Sequence, residues 1–275
     1  MSRLWDLLRK AERESAALED AEPNAGTVVA EPPTRLSQVP TATVIVRPET
    51  RIAAHTDPRS PAADSLRFLR LRLNQVWNPE KLKKLLITSP MPHDGKSTLA
   101  LNLAVALTEE GKRTVLLIEG DLHRATVSKE LGLSDYSGVA EVLEDGADAF
   151  SLVRRVLPLG FYFLPAGAAK GNPSELLQTG ALPAMMESLS HHFDWILVDS
   201  PPVAPLTDTL SWKEQSDATL LVTRAGKTPI QSVEDGLNLI GRKHVLAIVL
   251  NAAEGVDRLY EKYYKTYTSK ASKSK

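Results

Sequence analysis

A doubly wound, mostly parallel α/β sheet is the fold the sequence predicts, with a disordered N-terminal extension and a mobile, tyrosine-rich C-terminal tail. From residue 62 onward, apolar β-type runs alternate with helical stretches, the order that builds parallel βαβ units. These runs are continuous in Leu, Val and Ile instead of alternating apolar with polar, which suits strands buried on both faces. Gly95, Asp121, Asp199 and Asn251 fall at the carboxyl ends of such runs, where open α/β sheets bind their ligands.

The elements follow in chain order. Over 1–18, Leu4, Leu7, Leu8 and Trp5 recur at helical spacing among Arg3, Arg9, Lys10 and Arg13, which predicts a short amphipathic helix. A partner- or membrane-surface helix and a frayed terminal helix both fit that pattern. Residues 19–61 read as a disordered linker. Residues 1–61 hold 7 of the 18 prolines, with little apolar burial to offset about 1–2 kcal/mol of ordering cost per residue. Within this segment, Thr43-Val-Ile-Val46 has the composition of one added strand. The main domain, 62–256, opens with a helix at 62–76. Strands are expected at 85–89, 114–119, 161–164, 195–199, 218–222 and 245–250, and helices at 99–110, 137–145, 174–190 and 230–241. The tail, 257–275, holds four of the six tyrosines, and from Arg258 it carries six basic residues against one Glu, a local charge of +5. Low apolar content after Tyr267 predicts mobility. Tyr260, Tyr263, Tyr264 and Tyr267 fit one face of a helix, and equally a set of hydroxyl acceptors for a phosphoryl group.

Composition narrows the function. At 43% hydrophobic and 24% charged residues the chain is ordinary globular material. A net charge of −1 supplies no general field for nucleic acid. There is no cysteine, which excludes disulfides and Cys-ligated zinc or iron–sulfur centres. No apolar run reaches the roughly 18–20 residues of a membrane span, and the first ten residues lack a secretory apolar core, so a cytoplasmic location is expected. The six histidines show no metal spacing. His191-His192 reads as a solvated helix end, whereas His93 and His123 fall in loops of the expected site.

The stretch Leu85 to Thr98 predicts a phosphate-binding loop of the P-loop nucleotidase type. An apolar strand enters a turn-rich loop ending in Gly95-Lys-Ser-Thr98, and a helix follows. Backbone N–H groups at a helix start attract an anionic phosphate chain. Lys96 adds a full charge near the β- and γ-phosphates, and Ser97 offers a hydroxyl to Mg²⁺. Pro90 stands where the strict pattern has its first Gly. Strand 114–119 ends in Glu119-Gly-Asp121, two carboxylates able to face one mouth. Magnesium needs only one or two carboxylates beside phosphate oxygens and water. Asp199 closes another apolar strand, the position of a second Mg²⁺-site element in P-loop nucleotidases, and Pro201-Pro202 then imposes an extended exit.

Phosphate loop, acidic strand ends and terminal tyrosines together resemble the bacterial tyrosine kinases of capsule and exopolysaccharide biosynthesis, over residues 62–267. Leu116-Leu-Ile-Glu-Gly-Asp-Leu-His-Arg124 is similar to that family's Asp-x-Asp-x-Arg motif, and Ile196-Leu-Val-Asp-Ser-Pro-Pro202 to its Walker B motif. Leu164-Pro-Ala-Gly167, Asn172-Pro-Ser-Glu-Leu-Leu177 and Val222-Thr-Arg-Ala-Gly-Lys-Thr228 resemble further signatures. Asp64-Ser-Leu-Arg-Phe-Leu-Arg70 resembles the helix through which these kinases form rings, which implies a homo-oligomer using Asp64, Arg67 and Arg70. The resemblance implies ATP and Mg²⁺ as cofactors, with Asp94, Gly95, Lys96, Ser97, Thr98, Arg224 and Asn251 around the nucleotide. It implies Ser97, Asp121 and Asp199 around the metal and Lys96, Glu119, Asp121 and Asp199 in catalysis, Asp121 accepting the phenolic proton. Tyr260, Tyr263, Tyr264 and Tyr267 become acceptors, phosphorylated in trans. A membrane chain-length regulator (polysaccharide co-polymerase) is the implied activator at the inner face of the plasma membrane, and a cognate tyrosine phosphatase a second partner. Without a span the chain is similar to the family's separate form. His93, Asp94, Glu119, His123 and Asp64 depart from the family pattern, which bears on rate more than on nucleotide binding.

Two other functions fit parts of the sequence. A partition- or division-site ATPase uses the same kind of fold, but has a signature Lys where this chain has Met91. A catalytically weak nucleotide-binding scaffold would use residues 2–18 to meet a membrane partner.

Overall fold

Leu85 and Ile87 of the central strand belong to one apolar core and Leu86 to another, and all three are fully buried. The neighbouring strands repeat this division. Val115 and Leu117 lie on the first side and Leu116 and Ile118 on the second, as do Trp195 and Leu197 against Ile196 and Val198. Side chains alternate across a strand, so runs apolar at every position bury both faces of a sheet. The structure, a computed structural model, describes residues 35–47, 50–204 and 207–253. The expected helix over 1–18 and the tail over 257–275, with its four tyrosines, lie outside the described residues.

The strands are β1 (Thr41–Thr43), β2 (Lys84–Thr88), β3 (Val115–Glu119), β4 (Arg154–Leu157), β5 (Tyr162–Leu164), β6 (Trp195–Asp199), β7 (Ala218–Arg224) and β8 (Val245–Asn251). They form one sheet in the order β1-β4-β5-β3-β6-β2-β7-β8. Every pairing is parallel except β4 with β5. The helices are α1 (Ala53–Thr56), α2 (Pro61–Val76), α3 (Lys96–Leu107), α4 (Thr126–Leu131), α5 (Val139–Asp145), α6 (Ala149–Leu152), α7 (Pro173–Leu176), α8 (Ala181–Ser190), α9 (Asp208–Glu214) and α10 (Ile230–Ile240). Residues of α2 and α3 line the first core, and residues of α5, α8, α9 and α10 the second. Among the described residues no helix is long and apolar enough to cross a membrane.

Three expectations need correction. The disordered linker over 19–61 does not hold for its described part. Thr41–Thr43 pairs with β4 at the edge of the sheet, beginning two residues before the expected Thr43–Val46 strand. Val39, Ala42, Val44 and Ile52 are buried there, and this burial offsets the ordering cost. An edge position also tolerates Pro40, which has no N–H to give. The single helix over 174–190 is two, α7 and α8, parted at Thr179-Gly180, since glycine costs about 1 kcal/mol inside a helix. Strand β4 and helices α4 and α9 were not expected. They span only four to seven residues, too short for a periodic signal.

Candidate functional site

Strands β3, β6 and β2 lie side by side, and Asp199 stands level with Glu119 on one neighbour and Ile87 on the other. Their carboxyl ends therefore open onto one mouth. The loop after β2 forms its floor. Gly95 caps α3 in the left-handed region at φ 97, and a Cβ there would lie 2.0 Å from Asn251 Nδ2, so glycine alone fits. The first intrahelical bond runs from Leu99 N–H to Gly95 O at 2.9 Å. That leaves the N–H groups of Lys96, Ser97 and Thr98 without intrahelical partners, as at any helix start.

Lys96 occupies the centre of the mouth. Its Nζ lies 3.2 Å from Asp121 Oδ2, 3.4 Å from Asp199 Oδ1 and 3.2 Å from Ser97 Oγ. Burial alone would lower the pKa of Lys96, but Asp199 and Asp121 outweigh it and raise it above the usual value. Burial raises the pKa of Asp199, against the opposing pull of Lys96. Asp199 Oδ2 is buried without a hydrogen-bond partner among the described residues. A buried, unpartnered carboxylate oxygen beside a serine hydroxyl fits a hydrated Mg²⁺, which takes few protein ligands and keeps its water.

The structure brings together Lys96, Ser97, Asp121 and Asp199, and separates Glu119 from them. Glu119 is fully buried with both oxygens engaged. It accepts from Val127 N at 2.6 Å, Ser128 N at 3.1 Å and Ala166 N at 3.3 Å, and from the Ser128 hydroxyl. The expected catalytic carboxylate thus braces the start of α4 and the loop after β5, because its extra methylene carries it past the mouth. Burial pushes its pKa up to about 7, while the Ser128 hydrogen bonds pull the other way. Gly120 between the carboxylates sits under Trp212, and a Cβ there would lie 2.8 Å from the indole.

Asp94 departs from its expected nucleotide contact in the same way. Its carboxylate is 3% exposed and accepts from the Thr228 hydroxyl at 2.7 Å and from Met91 N–H at 3.1 Å. Asn251 Nδ2 donates to Asp94 O at 2.9 Å, and Arg224 Nη1 reaches His93 O at 3.4 Å. Asn251 and Arg224 therefore fasten the loop from the ends of β8 and β7. His93 holds φ 68, outside the usual range for a side-chain residue. His123 Nε2 meets the buried Asp208 Oδ2 at 2.9 Å, and the Asp121 carboxylate accepts the Arg124 N–H at 3.1 Å. Sequence reasoning missed Asp208, Ser128 and the brace role of Thr228. Thr-Asp before an apolar helical turn was the signal available for Asp208.

The proposed ring residues make contacts within the chain. Asp64 pairs with Arg67, Arg67 also donates to Pro58 O, and Arg70 Nη1 lies 3.4 Å from Ala106 O. Phe68 and Leu71 beside them are 59% and 58% exposed.

Comparison with known proteins agrees with this architecture. A family model for cellulose biosynthesis protein BcsQ matches residues 92–262. Tyrosine-protein kinase YwqD of Bacillus subtilis is 30% identical over 182 residues, 66% of this chain and 76% of that protein. The BceF tyrosine kinase domain superposes with a TM-score of 0.64 at 29% identity, covering 78% of this chain and 84% of that one. The septum site-determining protein MinD of Pyrococcus horikoshii, solved with Mg-ADP, gives a TM-score of 0.51 at 29% identity over 61% and 68% of the two chains. The chain spans only 24% and 31% of the length of two longer curated relatives. On this fold and these similarities, the chain belongs to the bacterial tyrosine kinase family, with a P-loop domain of the BcsQ type.

Proposed function

We propose that this chain is a Mg·ATP-dependent protein-tyrosine kinase that phosphorylates its own C-terminal tyrosines in trans and so regulates exopolysaccharide or capsule biosynthesis. The observation that carries the reading is the convergence of Lys96, Ser97, Asp121 and Asp199 at the start of α3. Lys96 and the free N–H groups of the loop hold the phosphates, and Lys96 exchanges its carboxylate partners for phosphate oxygens. Ser97 directly, and Asp121 and Asp199 through water, would hold Mg²⁺, which supplies charge neutralisation on the β- and γ-phosphates. The tyrosine oxygen bonds to the γ-phosphorus as the β,γ-bridging bond breaks, and ADP carries away that electron pair. The phenolic proton, with an unperturbed pKa of about 10, passes to Asp121, a general-base step. Glu119 and Asp94 position the loops around this reaction.

The family supports a reading of the partners. A ring-like homo-oligomer fits the exposed Phe68 and Leu71 beside Asp64 and Arg67 on α2. A membrane chain-length regulator would activate the kinase at the inner face of the plasma membrane, and a tyrosine phosphatase would reset it. Mass spectrometry of the tail after incubation with Mg·ATP, with Lys96→Met as control, tests the proposal. Phosphotyrosine on Tyr260, Tyr263, Tyr264 or Tyr267, absent from the variant, is the expected result. Nucleotide binding without phosphotyrosine contradicts it. The likeness to MinD supports a second reading, a hydrolytic switch, and ATP hydrolysis with an unmodified tail would favour that one.

A further inference from the structure

Among the described residues, strand β8 is the outer strand of the sheet, bonded to β7 on one side only. Edge strands usually carry charge or proline that blocks further association, yet Val245-Leu-Ala-Ile-Val-Leu250 carries neither. Ile248 lies level with Leu221, and Leu250 with Thr223. Leu221 is fully buried, close to Gly236 of α10, whereas Ile248 and Leu250 are 49% and 60% exposed. The sheet thus presents an apolar ledge beside α10.

The chain itself supplies a matching segment. Residues 254–275 follow β8 after Ala252 and Ala253. Ala252 takes φ 52, in the left-handed region, which ends the extended strand. Val256, Leu259, Tyr260, Tyr263, Tyr264 and Tyr267 recur at i, i+3, i+4, i+7, i+8 and i+11, a complete apolar stripe for a helix. Arg258, Glu261, Lys262 and Lys265 fall between them. A helix over 256–267 would be about 18 Å long, against roughly 20 Å for β8. A segment joined by so short a linker meets its ledge at an effective concentration of order millimolar, which favours it over a second copy of the chain.

We propose that residues 256–267 fold back as a helix onto the exposed face of β8 and seat their tyrosines there, withheld from phosphoryl transfer until released. The withholding rests on the kinase reading, whereas the docking does not. Each phosphotyrosine would add a charge of about −1.5 to −2 against an apolar ledge, so modification would keep the segment off.

Limited trypsin cleavage of the full chain, without nucleotide, tests the docking. Ile248→Ser/Leu250→Ser removes the ledge and Leu259→Ser/Tyr263→Ser removes the stripe without touching the folded domain. Both variants should be cut at Lys262 and Lys265 about tenfold faster than the wild type, since cleavage tracks the open population, with Lys270 and Lys273 cut equally in all. Equal rates in wild type and variants overturn the proposal. Protection that grows with protein concentration, with a doubled sedimentation mass that Ile248→Ser/Leu250→Ser abolishes, assigns the ledge to a second copy and also overturns it. Protection in the wild type that both variants lose, together with a tail still unmodified by Mg·ATP in Ile248→Ser/Leu250→Ser, where the segment is released, upholds docking while contradicting the kinase reading.

Discussion

Lys96 is held between two buried carboxylates, so its removal has two separable effects. Lys96→Met should abolish phosphotyrosine formation and weaken Mg·ADP binding, measured by calorimetry. It also leaves Asp121 and Asp199 facing each other without a cation. Breaking a buried pair in this way costs about 3–5 kcal/mol, and urea denaturation should show part of that loss recovered in mild acid, where carboxylates protonate. Glu119 gives a second pH dependence. Its pKa is about 7 in the fold against 4.5 ordinarily, so between these values the native state binds more protons than the unfolded chain. Stability therefore falls as pH rises from about 5 to 7 and stays lower above that, by about 3 kcal/mol at most. Asp199, also raised, acts in the same direction. Melting temperatures across this range should fall in the wild type and fall less in Glu119→Gln. An unchanged slope in the variant would assign the effect elsewhere.

At the scale of elements, the phosphate loop is shaped by β7 and β8 as much as by its own glycine. Thr228 hydroxyl donates to the buried Asp94, and Asn251 to the Asp94 carbonyl. Thr228→Val should cost about 1–3 kcal/mol, the penalty for an unpaired buried acceptor, and should weaken Mg·ADP binding. Thr228→Ser, which keeps the hydroxyl, should restore both. These braces were not legible in the sequence, because Asp94 and Thr228 are joined only by the sheet order, which places β7 beside β2. The parallel sheet and the convergence of Lys96, Ser97, Asp121 and Asp199 were legible, since each depends on a strand, its end and the turn that follows. Glu119 was misread for a related reason. Spacing places a carboxylate at a strand end, but the extra methylene and the N–H groups of Val127 and Ser128 decide where it points. Strand β1 was legible only in part, as Thr43–Val46, because three residues following Pro40 have no periodicity to show.

At the scale of the whole molecule, the proposed kinase activity would couple charge to assembly. Helix α2 leaves Phe68 and Leu71 exposed beside the Asp64–Arg67 pair, an apolar patch with a charged rim on which the proposed self-association would rest. The tail carries +5 from Arg258 onward. Each phosphotyrosine brings about −1.5 to −2, so three modified tyrosines already offset the tail's charge and four reverse it. Two such groups 10 Å apart repel by about 1–2 kcal/mol in water before salt screening. Tails gathered near the mouths of a ring would bring many of them together, close to bound phosphates. We therefore expect Mg·ATP to convert an associated form to smaller species, and light scattering should record the fall in mass. Because screened charges carry the effect, it should weaken as salt rises toward 1 M, where the Debye length is about 3 Å. Replacing Tyr260, Tyr263, Tyr264 and Tyr267 by Phe keeps the apolar stripe and removes the acceptors, so that variant should stay associated in Mg·ATP. A mass that falls equally in the Phe variant would mean that nucleotide binding, and not the added charge, drives the parting.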